Sequence, residues 1–184
     1  MKLLSLLFHS REFHRQLEDS RSKLYRVAYA WCHDAALADD LVQETLSKAL
    51  SKASQLRDQK LLQSWLFSIM SNCWRDHFRR LRGTEELDGL DEAVLVSDSS
   101  PEEDHARNQI VSRVRMAIAN LPMGQRQVVT LVDLEEFSYA QVAEILNIPV
   151  GTVMSRLCRA RKELKMALLV QQQDWSQVAI RRIK

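Results

Sequence analysis

Between residue 1 and Arg82 the chain has neither glycine nor proline, and its apolar residues recur at steps of three and four. That spacing predicts amphipathic helices, and the absence of both helix breakers lets them run long. Leu24, Val27, Ala28 and Trp31 mark the buried face of a first long helix. Asp34 stands where an N-cap would open the second. The buried stripe of that helix is Ala38, Leu41, Val42, Thr45 and Ala49, which leaves Asp39, Asp40, Gln43 and Glu44 more exposed. After a polar break at 54–60, a third helix places Trp65, Leu66, Ile69, Cys73 and His77 on one side. Its other side carries Asn72, Arg75, Asp76, Arg79 and Arg80. Trp65 shares the apolar stripe and is expected in the core, whereas Trp74 fits either a core position or an exposed stacking surface.

The pattern restarts at Ser100-Pro101-Glu102-Glu103. Serine caps, proline takes the first helical position, and Glu103 completes a capping box. The next helix is expected to bury Ile110, Val114, Ala117 and Leu121 and to end by Pro122. Another carries Val128, Leu131 and Val132. Ser138 and Gln141 form a second capping box, Asn147-Ile148-Pro149 reads as a turn, and small Ala143 permits a close crossing of the helices on either side. In the last helix Val153, Leu157, Ala160 and Leu164 form a buried seam, while Ser155, Arg159 and Lys162 lie on another face with Arg156 beside them. No β pattern of useful length appears; residues 94–96 come nearest. The expected fold is all-α, with two small helical domains joined by a flexible acidic linker and a helix-turn-helix in the second. The expected boundaries are 1–82, a linker at 83–100, 101–170, and a basic, partly helical tail at 171–184.

Charge sharpens this picture. The 184 residues carry 26 Lys and Arg against 24 Asp and Glu, so net charge alone says little about partners. Its distribution says more: residues 83–104 hold nine acidic residues and no Lys or Arg, between basic runs at 75–82 and 156–165. Two basic modules on a solvated acidic tether fit two separate nucleic-acid contacts. Some 20 extended linker residues span roughly 65–70 Å, about two turns of DNA at ~34–36 Å each.

The residue types on the last helix suit base reading. An arginine fork bonds both acceptors of a guanine edge, as Arg159 is placed to do. Thr152 and Ser155 sit near the helix start, where hydroxyls and backbone N–H groups can hold a phosphate. Catalysis finds no comparable support. The carboxylates cluster in the linker or on a helix surface, and the four glycines form no phosphate loop. Cys32, Cys73 and Cys158 lie far apart without metal-ligand spacing, and His33 and His77 near two of them fit packing better than zinc. No catalytic residue, metal or cofactor is expected. The apolar start is too short for a signal-peptide core, and no run is long enough to span a membrane, so a cytoplasmic location is expected.

Two stretches together resemble a known family. LPMGQRQVVTLVDLEEFSYAQVAEILNIPVGTVMSRLCRARKEL resembles the promoter-reading C-terminal domain of bacterial sigma-70-type factors, and most closely the extracytoplasmic-function (ECF) group. DDLVQETLSKAL followed by SWLFSIMSNCWRDHFRRLR resembles the N-terminal domain of the same group, in the same order along the chain. The resemblance implies an alternative sigma factor that binds core RNA polymerase and directs initiation at specific promoters.

It also implies roles for residues. Asp39, Asp40, Leu41, Gln43 and Glu44 would dock on the coiled coil of the polymerase largest subunit, and the polymerase flap region would be a further contact. Asn72, Arg75, Asp76, Arg79 and Arg80 would face the separating strands at the minus-ten element, with loop 54–60 holding an extruded base. Ser155, Cys158 and Arg159 align with positions facing minus-35 bases, where Cys158 stands in place of a bulkier residue. Thr152, Arg156 and Arg161 would contact phosphates, although one of the arginines can instead serve structure. An anti-sigma protein is a further implied partner. Among the alternatives, a transcription activator usually carries a ligand or receiver domain in front, which the N-terminal half does not resemble; an adaptor that binds only proteins is disfavoured by the basic faces.

Overall fold

The computed structural model describes residues 2–56, 58–82 and 105–181, with no strand among them. The chain divides into two compact units, the first holding the three N-terminal helices and the second most of the chain from residue 105 onward. The linker, the Ser100–Glu103 capping box and the 94–96 segment lie outside the described residues.

In the N-terminal unit, α1 (Lys2–Cys32), α2 (Ala35–Ser51) and α3 (Leu62–Arg82) all pack on one another. Leu24, Val27, Ala28 and Trp31 are buried as expected, as is the whole α2 stripe. His33 takes a left-handed conformation at φ 53° and closes the end of α1. Asp34 then caps α2, accepting from the Leu37 N–H at 3.0 Å. A polar tie joins α1 to α3: the Gln63 side-chain amide donates to buried Ser20 Oγ at 2.9 Å.

Trp65 of α3 departs from the sequence expectation, and Trp74, for which both settings fitted, takes the core one. Trp65 is only half-buried, while Trp74 is 4% exposed. Because α3 packs against both α1 and α2, its buried arc is wide and takes in Leu66, Phe67, Ile69, Met70, Ser71, Cys73 and Trp74. Met70 lies near the middle of that arc, and Trp65 at its outer edge. Trp74 meets Trp31 edge-on at 5.9 Å and Phe78 at 4.4 Å, an aromatic cluster that joins α3 to α1.

The C-terminal unit contains α4 (His105–Ala119), α5 (Met123–Val129), α6 (Tyr139–Leu146) and α7 (Val150–Arg181). Both α4 and α5 pack on α7. Ala117 and Leu121 are buried as expected, Val114 is half-buried, and the side chain of Ile110 is outside those described. Val128, Val129, Thr130 and Leu131 are buried, and Val132 half so. On α7, Val153, Leu157 and Ala160 are buried, with Leu164 half-buried at the end of the seam. The helix continues without a break to Arg181, so most of the C-terminal tail is helical.

Arg126 is the unexpected core residue of this unit, 1% exposed. Its Nη2 donates to the Ala119 carbonyl and, at 2.9 Å, to that of Leu121. A guanidinium there satisfies carbonyls that the end of α4 leaves without helical partners. After α5 the backbone widens into a π-helical turn, Thr130–Leu134, closed by Glu135 N–H donating to the Thr130 carbonyl at 3.2 Å.

Candidate nucleic-acid interfaces

The helix-turn-helix is assembled from local hydrogen bonds. Ser138 Oγ accepts from the Gln141 N–H at 3.3 Å, and Gln141 Oε1 accepts from the Ser138 N–H at 2.9 Å. This is the reciprocal box expected from the sequence. After Leu146, Asn147 turns the chain with φ 53°, a conformation asparagine tolerates better than most residues. The Ile148 N–H reaches back to the Ala143 carbonyl at 3.0 Å. Pro149 immediately precedes α7, its carbonyl accepting from the N–H groups of Thr152 at 2.9 Å and Val153 at 3.2 Å.

With Val153, Leu157 and Ala160 buried, the remainder of the first turns of α7 faces outward. Ser155, Cys158, Arg159 and Lys162 are exposed; Thr152 and Arg156 are half-buried. Ser155 Oγ donates to the Thr152 carbonyl at 3.1 Å. Two arginines of this helix have specific settings. The guanidinium of Arg156 lies against Gly124 of α5, where a Cβ would meet its Cζ and Nη1 at 2.9 Å. Glycine is what lets Arg156 lie this close. Arg161 makes a two-point ion pair with Asp133 in the π-turn, Nη2 to Oδ1 at 2.6 Å and Nε to Oδ2 at 3.2 Å. Its hydrogen bond to Asp133 raises its pKa above the ordinary arginine value.

In the N-terminal unit the two expected residue sets meet along the α2–α3 seam. Glu44 Oε1 lies 2.8 Å from Lys48 Nζ and 3.8 Å from Arg80 Nη2. Asp76 lies 2.7 Å from Arg79 Nη2 and 3.7 Å from Lys48 Nζ. Arg75 donates to the Asn72 side chain. Asp39, Asp40, Gln43, Asn72, Arg79 and Arg80 are exposed, and Glu44, Arg75 and Asp76 half-buried. Leu41 is buried beneath this surface. Cys73 is buried in the same seam; burial raises its thiol pKa and the Glu44 charge raises it further, against the opposing pull of Lys48. Segment 54–60 contains parts of two 3-10 turns, Ala53–Gln55 and Gln59–Leu61, the second capped by Asp58 accepting from the Lys60 N–H at 2.9 Å.

Both halves match known families in chain order: sigma-70 region 2 over residues 17–84, and sigma-70 region 4 over residues 112–164. The ECF RNA polymerase sigma factor EcfG of Rhodopseudomonas palustris is 37% identical over 138 residues, covering 74% of each chain. The RNA polymerase sigma-H factor of Pseudomonas aeruginosa is 32% identical over 155 residues, covering 79% of this chain and 80% of its own. Among solved structures, the sigma factor RpoE of Bartonella quintana, in complex with the anti-sigma factor NepR, superposes with a TM-score of 0.72 at 28% identity. That match covers 87% of this chain and 98% of RpoE. The chain belongs to the sigma-70 family, in its ECF group. It is an alternative sigma factor, acting with core RNA polymerase to direct transcription initiation from promoter DNA.

Within this sigma factor, sequence reasoning did not find the Gly124–Arg156 contact, the Asp133–Arg161 pair or the buried Arg126. One signal was available: Gly124 sits inside a helical pattern with no turn to explain it. Among the described residues no helix is long and apolar enough to cross a membrane, and no group of His, Cys, Asp and Glu is placed to hold a metal ion.

Proposed function

We propose that the sigma factor works through three surfaces on its two units, with boundaries at 1–82, 83–100, 101–170 and 171–184. Asp39, Asp40, Gln43 and Glu44, backed by buried Leu41, dock on the coiled coil of the polymerase largest subunit; an acidic face suits a basic partner. Asn72, Arg75, Asp76, Arg79 and Arg80 meet the melted minus-ten strands, where cationic groups retain single-stranded DNA. Thr152, Ser155, Arg156, Cys158, Arg159 and Arg161 form the minus-35 surface, with the C-terminal unit held near the polymerase flap. Ser155, Cys158 and Arg159 face bases there, and Thr152, Arg156 and Arg161 face phosphates. The observation that carries the reading is the exposed Ser155–Cys158–Arg159 face of α7, directly after a capped helix and a tight turn. A recognition helix presents its N-terminal residues to the major groove in the same way.

Chemistry belongs to the polymerase in this reading. The sigma factor is not an enzyme, uses no cofactor, and acts in the cytoplasm. By likeness to RpoE, which is solved with NepR, an anti-sigma factor holds it in check. Reconstitution with bacterial core polymerase tests the proposal. Transcripts should arise from defined starts, and mapping them across a genomic library should yield one promoter motif. Failure to bind core enzyme, or starts without a shared motif, would overturn it.

A further inference from the structure

The outward face of α7 carries two parallel ridges of different chemistry. One is polar and runs Gly151, Ser155, Arg159. The other runs Val150, Met154, Cys158, each residue one turn from the last, and is interrupted by Lys162 before the exposed Met166. Val150 is 44% exposed and Met154 53%, and Cys158 is exposed with them. Single exposed apolar side chains are commonplace, but here three stand at successive turns, on the surface assigned above to base reading. The buried seam of α7, Val153, Leu157 and Ala160, lies on another side of the helix, so the fold does not need this ridge for its core.

We infer that Val150, Met154 and Cys158 read thymine 5-methyl groups in the minus-35 major groove, with Met154 the principal contact. This deepens the minus-35 reading and rests on it. In the major groove the thymine methyl is the one apolar feature that marks a base, and apolar side chains recognise it. The flanks identify DNA rather than protein as the occupant. Arg159 and Ser155 border the ridge with a guanine-reading fork and a hydroxyl, and Lys162 follows Cys158 on it with a cation suited to phosphate. At Gly151, nothing of the protein lies within 4 Å of where a Cβ would stand. The fold therefore does not require glycine there, and its absent side chain leaves the start of α7 open to a close partner. Methionine, unbranched and polarisable, adapts to a methyl group better than a stiff side chain would.

The test uses holoenzyme formed from the full chain and bacterial core polymerase. Promoter duplexes with a randomised upstream element are selected for binding. In the enriched sequence each thymine is then replaced singly by deoxyuridine, which lacks only the methyl group. At one or two thymines the wild type should lose about fourfold in affinity, the size expected for one methyl removed from an apolar contact. Met154→Ala should bind thymine and uracil duplexes equally at its position while keeping its guanine preference. Met154→Leu should restore part of the difference, and thermal melting should show both variants folded. The inference is overturned if every uracil duplex binds as well as its parent. It is equally overturned if Met154→Ala impairs association with core polymerase and leaves the thymine–uracil difference intact, which would make the ridge a protein contact. If selection enriches no upstream sequence at all, the minus-35 reading itself fails, an outcome distinct from uracil insensitivity at an enriched site.

Discussion

The guanidinium of Arg156 occupies the space that a side chain on Gly124 would fill, 2.9 Å from where its Cβ would stand. One residue of α5 thus sets the position of an arginine on α7. A Gly124→Ala substitution pushes the flexible tip of Arg156 away and leaves the backbone in place. Because alanine is the better helix former by roughly 1 kcal/mol, the melting temperature should hold or rise. Minus-35 affinity should fall by a similar factor for all sequences, and the salt dependence should become shallower by about one phosphate contact. Unchanged affinity and salt slope, measured by titrating duplexes into holoenzyme, would remove Arg156 from the interface.

Arg161 and Asp133 separate bracing from DNA contact. The pair is exposed, so its loss should lower stability only modestly, by roughly 0.2–1 kcal/mol. Arg161→Ala should weaken promoter binding evenly across sequences. Asp133→Asn keeps the arginine and removes a nearby negative charge, so it should strengthen binding. If instead both variants weaken binding equally, Arg161 acts only by holding α7 against the π-turn.

Arg159→Ala should behave differently from both, losing ~1–3 kcal/mol of discrimination at one promoter position. Competition binding against single-base variants of the enriched element reads this directly. A uniform loss, like that of Arg161→Ala, would show that the base-reading face is misplaced.

Replacing Arg126 tests the buried cap. In Arg126→Met the carbonyls of Ala119 and Leu121 lose a charged donor inside the core, which should cost about 2–3 kcal/mol. Hydrogen exchange should quicken in α4 and α5 while protection in α1–α3 stays unchanged. Lysine should restore part of the loss, since a single nitrogen, Nη2, makes both contacts and an ammonium also carries more than one donor.

The thiols should react in a fixed order. Cys158 is exposed, whereas Cys32 and Cys73 are buried. Burial raises the Cys73 pKa, so at pH 7–8 it carries less of the reactive thiolate than an ordinary cysteine. Iodoacetamide should therefore label Cys158 first, and promoter DNA in the holoenzyme should protect it. Mass spectrometry of timed samples checks both points; early labelling of Cys73 would contradict its burial.

Much of the fold was legible because local rules and packing agree. The α2 stripe, the Asp34 cap and the Ser138–Gln141 box each stem from spacing and side-chain chemistry, and each is present in the structure. The tryptophans of α3 were not, because periodicity gives the direction of a helix face but not its width. Two packing neighbours widen the buried arc to include Trp74 and leave Trp65 on its rim. Arg126 escaped for a different reason. Arginine is seldom buried, and only the three-dimensional approach of the α4 terminus supplies the carbonyls that make burial favourable. On α7 the exposed polar face was legible from the seam, while the apolar ridge beside it emerges only from side-chain exposure.

Glu44 stands within ion-pair range of both Lys48 and Arg80. A basic partner that approaches this carboxylate competes with the cations already beside it. On the proposed assignment of these surfaces, attachment to the enzyme and affinity for the opened strands would be electrically linked, since a cation displaced from Glu44 would be free to attract phosphate. In that arrangement the free subunit would be muted by its own acid, and assembly would unmask the charge where DNA is proposed to lie.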